Sequence, residues 1–600
     1  MDERLNWLML ANKFALDGDP RGMRACAREL FDLNPNSADG PAIMAEAALY
    51  SGNWEEAELL ARDACSLRAD HLRARMVLAG LAAHKFELKD ELALLTPLIA
   101  DIRKKLKRTE ELQTDGRLKM NFAHAEKADE QEKAVRKQAE VETKVLQYLL
   151  YRCLGLLADA EYLAGEAGKA ADALEEASSL AETREMEAEL YSKHLFLRNY
   201  CDLTPKMSRE KAEKYQSILG ASVYYRQENI KKTPDKKLRI GYISPDFRQH
   251  AVANFVLPFF RDFDSDQFAV YAYSTGKADA VTDRLRRHRI SWRDVRGRQP
   301  HAVARQIAED HIDILVDLSG HSQNNCLPIL ALHPACIQVC AVGYTATTGL
   351  AAMDYFLSDV ICLPSKEHAS AFTEQVLRLP HCHLCYAPGI VREIPPAGIQ
   401  APFIRNGYVT FGSFNNFAKV TEDMLYLWRA ILEKVEDARL VIKGKICSIP
   451  QGEAIVKERL QNLGFPMERI EYRPYSPDYL EQYRDIDIAL DTSPYTGGLT
   501  TCEALYMGVP VVALRGRSHG ARMGASILTN GDLSELIAES PMEYVKKAVQ
   551  LTARTQLISG YHAGLREHLL KTALMDSRQY MRELETCYRE IWREYCGKKE

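Results

Sequence analysis

Gly497 and Gly498, then Thr500 and Thr501, then Glu503, give one short stretch the residue types that hold a phosphate. Glycines let backbone come close to a ligand, and threonine hydroxyls and N–H groups at a helix start face an anion where the helix dipole favours it. The stretch lies in DIALDTSPYTGGLTTCEALYMGVPVVAL, Asp487–Leu514. There Ile488–Leu490 is short, apolar and ends in Asp491, Cys502–Met507 has helical spacing, and Val509–Leu514 is β-branched. The order is strand, turn, helix, strand, which sets Glu503 one turn into the helix beside whatever the phosphate carries. An ordinary capped αβ connection has the same appearance. The Gly-Lys-Ser/Thr ending of a mononucleotide-hydrolase loop is missing.

Two histidines, His250 in SPDFRQH and His321 in LSGHSQNN, each follow a strand-like segment. Imidazole titrates near neutral pH, so either suits activation or orientation of a hydroxyl, and either also suits a hydrogen-bonded scaffold. His381, Cys382, His383 and Cys385 crowd two ligand pairs into five residues, tighter than usual zinc spacing.

The elements that must position these groups follow from the rest of the chain. At 600 residues it is too long for one core and suggests about three or four domains. With 78 basic and 83 acidic residues and a net charge of -5 it has no global basic field for nucleic acid. The start, MDERLNWLML, is unlike a secretory signal, and no 18-residue apolar span occurs, so no membrane span and a cytoplasmic location are expected. Fourteen cysteines without regular spacing read as reduced, mostly buried thiols.

The front half is helical. Gly18 and Gly52, Ala27 and Ala61, and Leu33 and Leu67 are each offset by 34 residues, the period of a helix-turn-helix tetratricopeptide repeat with a small residue where two helices pack at the turn. A weaker unit spans Leu72–Leu98, and Leu157–Glu182 repeats the pattern around Gly168. An irregular helical bundle would look similar. Ile102–Lys144 is dense in Lys, Glu and Gln and reads as an exposed helix or insertion. The expected regions are repeats over 1–100, a charged helical insertion over 101–145, and a further repeat with connecting helices over 146–225. From Leu238 the pattern changes, after the polar linker Arg226–Lys237. LRIGYIS, FAVYAYS, IDILVDLSG and IQVCAVGY alternate with helical sequence, and YVTFGSF, ARLVIKGK, IEYRPY, DIALD and VPVVAL form a second series. Each series predicts a doubly wound parallel sheet, over 238–390 and 400–575, followed by a C-terminal helix over 576–600. The fold class is thus α + α/β multidomain, with ligands expected in the cleft at the carboxyl ends of both sheets.

YISPDFRQH, DILVDLSGHSQNN, LALHPACIQVCAVGY, LRLPHCHLCYAPG, FGSFNNFAKVT and DTSPYTGGLTTCEALYMGVP together resemble the peptide O-glycosyltransferases of the O-GlcNAc transferase and SPINDLY group, from Leu238 to about Gly597. GHSQNN, LPHCHLCY and FGSFNNFAK look closest to the SPINDLY branch. The resemblance implies a GT-B enzyme that inverts the anomeric centre and moves a sugar from a nucleotide diphosphate to a Ser or Thr hydroxyl. Departure of a pyrophosphate calls for positive charge and N–H donors. Lys419 matches the family's diphosphate-binding lysine, Asn416 a neighbouring amide that contacts the nucleotide, Glu503 the acidic residue on the ribose hydroxyls, and His250 a histidine near the reacting sugar. Asp310 matches an acidic position proposed as a helper, although an Asp before a buried strand is usually a cap or turn residue.

Tyr479 falls where the family's base-stacking histidine is expected, which leaves the nucleotide open between UDP-GlcNAc and the GDP-fucose of the plant SPINDLY branch. The general base stays open as well, with the donor's own phosphate as the alternative. No Asp-x-Asp ends a strand of the first lobe, so metal independence and no cofactor are expected. The expected partners are a nucleotide sugar and a protein acceptor held by the repeats, with a homo-oligomer open. A repeat scaffold that has lost catalysis is the competing class.

Overall fold

The computed structural model describes residues 3–114, 125–220, 225, 230–396 and 400–597, so the expected linker Arg226–Lys237 and the charged stretch Ile102–Lys144 lie partly outside the described residues. The chain divides into two compact units, residues 1–194 with 449–456, and residues 195–448 with 457–600.

In the first unit, α1 (Glu3–Leu16), α2 (Pro20–Leu33), α3 (Asp39–Tyr50), α4 (Trp54–Leu67), α5 (Leu72–His84), α6 (Leu88–Thr114), α7 (Ala125–Leu163) and α8 (Ala167–Ser179) follow one another as helical hairpins. The 34-residue offset has a backbone cause. Gly18 and Gly52 close their turns at φ +67° and +74°, with the N–H of Asp19 bonded to Phe14 O and that of Asn53 to Ala48 O. A side chain at Gly18 would meet nothing within 4 Å, so left-handed backbone rather than close helix packing requires this glycine. The third turn is closed alike by Glu87 N–H to Ala82 O, but its left-handed residue is Phe86 at φ 57°, which is why that unit was faint in sequence. In the later hairpin the turn residue is Gly165 at φ +87°, not Gly168, which lies inside α8. Ala27 and Ala61 are buried where helices cross, whereas Leu33 and Leu67 are exposed. Replacing the exposed Phe86 by glycine is expected to stabilise the protein by about 0.5–1 kcal/mol, the left-handed penalty less the chain entropy of glycine. Chemical denaturation reads this directly, and a lower midpoint contradicts it.

α7 runs back over the repeats and packs against α1 and α5. Between them Arg73 of α5 contacts Glu46 of α3 and Asn12 of α1, and Tyr148 of α7 donates to Glu46 at 2.5 Å. Glu46 and Arg73 are fully buried, and buried charges hold only when paired in this way. The face of the repeats formed by α1, α3 and α5 is therefore covered by the chain's own helix.

The second unit begins with the end of α9 (Arg184–Arg198) and with α10 (Pro205–Leu219). Its first sheet holds β1 (Leu238–Ser244), β2 (Phe268–Ser274), β3 (Ser291–Asp294), β4 (Ile314–Asp317), β5 (Ile337–Cys340), β6 (Tyr355–Asp359) and β7 (Gln375–Leu379) in the order β3-β2-β1-β4-β5-β6-β7. The second holds β8 (Thr410–Ser413), β9 (Arg439–Lys443), β10 (Ile470–Arg473), β11 (Ile488–Leu490), β12 (Val511–Leu514) and β13 (Ile537–Ala538) in the order β10-β9-β8-β11-β12-β13. All pairings are parallel, so both sheets put the carboxyl ends of their strands on one edge. The C-terminal helix Ser577–Gly597 returns from the second lobe to the first, where Tyr580, Leu584, Tyr588 and Trp592 join the core under β1 and β2. All fourteen cysteines are free. Among the described residues no helix is long and apolar enough to cross a membrane.

Candidate active site

Asp491 follows the last residue of β11, and the turn beyond is organised by its carboxylate. Asp491 Oδ1 accepts the N–H groups of Thr492 at 2.8 Å and Gly497 at 2.7 Å, and the side chain of Asn415 approaches at 3.4 Å. Thr501 Oγ1 donates to Asp491 Oδ2 at 3.4 Å, and Thr500 Oγ1 donates to Asn415 Oδ1 at 2.9 Å. A Cβ at Gly497 would collide with the hydroxyls of Thr500 and Thr501, so this glycine is required by its own turn. Gly498 is the N-cap of helix Leu499–Tyr506 and lies against Met523. The expected glycine-threonine helix start is present, with its hydroxyls oriented from below by Asn415 and Asp491.

Lys419 reaches the same turn from the loop after β8. It lies in the 3₁₀ turn Phe417–Lys419, its Nζ 3.4 Å from Thr496 O and 4.5 Å from the centre of the Tyr495 ring. Burial lowers the amine's pKa from the usual lysine range, and the charge of Asp491 opposes that. Burial in turn raises the carboxyl of Asp491. This is a cation beside the Thr500 and Thr501 hydroxyls and a helix start, which suits a diphosphate. Asn416 is exposed and caps the 3₁₀ turn through Ala418 N–H, while the buried amide of the network is Asn415. The period-two alternation carried on from Phe411 and Ser413 points residue 415 inward, a signal the sequence reading missed.

Glu503 sits one turn into the helix, as expected, and is 3% exposed. Its Oε1 accepts the Tyr479 hydroxyl at 2.5 Å, and its Oε2 is buried with no hydrogen-bond partner. Burial pushes its pKa up to about 7, against the Tyr479 hydrogen bond and the nearby charge of Arg392. The Arg392 guanidinium lies 4.4 Å from the centre of the Tyr479 ring, so one face of that aromatic is covered. A buried carboxylate oxygen lacking a donor is what a hydroxylated ligand would complete.

The first-lobe candidates separate. His250 is part-exposed at the carboxyl edge after β1; Asp246 lies 3.6 Å from its Nδ1, and burial lowers its pKa while the charge of Lys445 from the second lobe acts in the same direction. His321 is buried, its Nε2 is 2.8 Å from Thr348 O, and its ring packs edge-on against Tyr215 and Tyr344. The ring is thus enclosed by packing, with its Nε2 engaged by a backbone carbonyl. Asp310 caps helix Pro300–Glu309 at the turn entering β4, on the amino side of the sheet, and its carboxylate holds Arg293 at 3.0 and 3.1 Å and the Tyr273 hydroxyl at 2.8 Å. Those bonds occupy both of its carboxylate oxygens.

The histidine-cysteine cluster does not gather as spaced. His381 pairs with Glu583 at 2.6 Å, and Cys385 lies in the first-lobe core. His383 Nδ1 is 2.5 Å from Asp359 Oδ2, close to Cys362, Cys382 and His519. Asp359 also receives the N–H groups of Ile361, Cys362 and His383 and the hydroxyl of Ser526. The imidazole and carboxylate are thus each other's partners. Ser526 and Arg522, which donates to Ile361 O at 2.8 Å, tie helix His519–Asn530 of the second lobe to the first.

Glycosyl transferase family 41 matches residues 206–386 and 400–584. A tomato (Solanum lycopersicum) protein named probable UDP-N-acetylglucosamine–peptide N-acetylglucosaminyltransferase SPINDLY is 39% identical over 375 residues, 61% of this chain and 40% of its own length. The Arabidopsis thaliana SPINDLY protein is 38% identical over the same shares. The chain thus spans about 40% of the length of these curated relatives. A crystal structure of an O-GlcNAc transferase from Thermobaculum terrenum, a lysine-to-methionine mutant, superposes with a TM-score of 0.67 at 25% identity, covering 99% of this chain and 98% of that one. Two parallel-sheet lobes with a glycine-threonine helix start and a half-buried lysine, matched to one family across more than half of the sequence, leave no other assignment: the chain belongs to glycosyl transferase family 41.

Proposed function

We propose that this protein is an inverting protein O-glycosyltransferase that moves a sugar, GlcNAc from UDP-GlcNAc in the first instance, to Ser or Thr hydroxyls of a polypeptide. The observation that carries the reading is the unpartnered Oε2 of buried Glu503, set on the same helix start as Thr500 and Thr501 with Lys419 opposite. Glu503 accepts hydrogen bonds from the ribose hydroxyls, Thr500, Thr501 and the helix N–H groups take the diphosphate, and Lys419 meets the negative charge that grows as the glycosidic bond breaks. The cation role rests on a protein group, so turnover should persist in EDTA. His250, at the carboxyl edge, orients the acceptor hydroxyl. GDP-fucose is the second donor reading, favoured by Tyr479 standing where a histidine was expected at the base.

Incubation with UDP-GlcNAc and with GDP-fucose, following donor hydrolysis and transfer to lysate proteins, tests this. Turnover of neither would return the chain to the scaffold class. Glu503 supplies a finer check. Its carboxyl is raised to about 7, so it is ionised above that pH and protonated below it. The donor KM should therefore rise as pH falls through 7, whereas Glu503→Gln should raise KM about fivefold at pH 8, roughly 1 kcal/mol, and abolish that pH dependence. An unchanged KM profile in the variant would remove the ribose role.

A further inference from the structure

A cavity of about 430 Å³ lies beside the candidate site, walled by Tyr344–Thr347 and Phe372 of the first lobe, by Arg517–Gly520 of the second, and by the segment from Leu195 to Ala212. One aromatic ring separates it from Lys419. Tyr495 carries the lysine's Nζ against its ring, and Gly520, on the cavity wall, has a Cβ position 3.4 Å from Tyr495 Cδ2. The charged side chains on the wall are Arg198, Lys211 and Arg517 against the single carboxylate of Glu367. Two polar groups on the wall are buried without a hydrogen-bond partner: the imidazole of His519, 2% exposed with both ring nitrogens unpaired, and the hydroxyl of Thr345. Burial keeps that imidazole well below its usual pKa, hence neutral and able to donate one N–H. The twelve-residue helix His519–Asn530 also starts here, with its cap Ser518, which accepts the Ala521 N–H, and its first residues His519 and Gly520 on the wall. The wall thus carries three cations to one carboxylate, together with the neutral polar side chains of Asn199, Ser208 and Thr347.

We propose that this cavity takes the carboxylate of an acidic side chain in the polypeptide acceptor, two or three residues from the hydroxyl that is modified. The inference rests on the protein-acceptor reading above and narrows its substrate class. The separation from Lys419 by a single ring sets the reach, because an extended chain advances about 3.3–3.6 Å per residue. The cavity is larger than an isolated oxyanion needs, and Leu195, Pro205, Ala212 and Phe372 give it apolar wall for the methylenes that carry a carboxylate.

Serine peptides carrying Asp, Ala or Lys at each position from four before to four after the serine test this. The KM ratio between Ala and Asp peptides should reach about tenfold at one flanking position, and Arg517→Glu or Lys211→Glu should collapse or invert it, with melting temperatures reporting the fold. Peptides glycosylated without an acidic preference, or a preference untouched by both variants, would overturn the inference while leaving the transferase reading intact. If the donor is hydrolysed but no peptide accepts sugar, the protein-acceptor reading fails and takes this one with it. Inorganic phosphate that binds the protein, and is lost in Arg517→Glu, without any acidic-peptide preference would mean a free-anion site and would also overturn it.

Discussion

Replacing Lys419 by alanine is expected to lower kcat for sugar transfer by about 10²–10³-fold while the protein stays folded, the effect of deleting one preorganised group aimed at charge that develops in the transition state. The amine is enclosed by Tyr495 and the Thr496 carbonyl and opposed in charge only by buried Asp491. In that half-buried setting a cation is worth more than at a surface, because water screens it less. The interaction strengthens as the diphosphate departs, so kcat should fall more than the donor KM rises. The cost to folding is limited by Asp491 itself: burial already raises its carboxyl, so without the lysine it takes up a proton rather than staying an unpaired charge. Steady-state kinetics beside a thermal melt separate the two effects. Undiminished kcat in a folded variant would remove Lys419 from the reaction.

Much of this architecture was legible because its strands are buried on both faces and read as unbroken apolar runs. LRIGYIS and FAVYAYS are β1 and β2 residue for residue. β3 and β7 were not seen: SWRD and QVLRL are edge strands, half-exposed and partly polar, paired on one side only. β6, YFLSD, is fully buried but only five residues long between irregular segments, too short for a period. The course of the C-terminal helix was not legible either. Its amphipathic pattern announces a buried face, and nothing in the pattern says that the face belongs to the first lobe rather than the second, which immediately precedes it.

At the site, glycines and threonines at a strand-helix junction announced themselves by type, whereas their supports did not. Asp491, Asn415, Tyr495 and Arg392 act through long-range contacts, and 76 residues separate Asn415 from the carboxylate it approaches. In the first lobe, residue type alone does not tell what surrounds a side chain: His321 meets Thr348 O, and Asp310 holds Arg293 and Tyr273, contacts that no local pattern announces. The repeats were read correctly in period and incompletely in use, because the pattern that marks a helical hairpin does not say which later helix will cover it.

Asp491→Asn is the second large effect, and its sign is set by the lysine. The amide keeps an oxygen for the N–H groups of Thr492 and Gly497, so the turn should hold its shape. What disappears is the negative charge that opposes the burial-driven fall of the Lys419 pKa. An opposite charge at this range is worth about 1–3 pKa units, so its removal lowers the lysine by a similar step. The amine is charged only below its pKa, so the variant should lose transfer on the alkaline side first, by about 10- to 100-fold at pH 9, and recover part of it as pH falls toward 6. In the wild-type protein the falling limb should lie at higher pH. Acid acts on it in the other direction: as the carboxyl of Asp491, already raised by burial, takes up its proton, wild type and variant should converge. A pH–kcat profile of both proteins decides the point. Superimposable alkaline limbs would mean that Asp491 shapes the turn without holding the charge of Lys419, and the loss in Lys419→Ala would then have to be read as geometry rather than electrostatics.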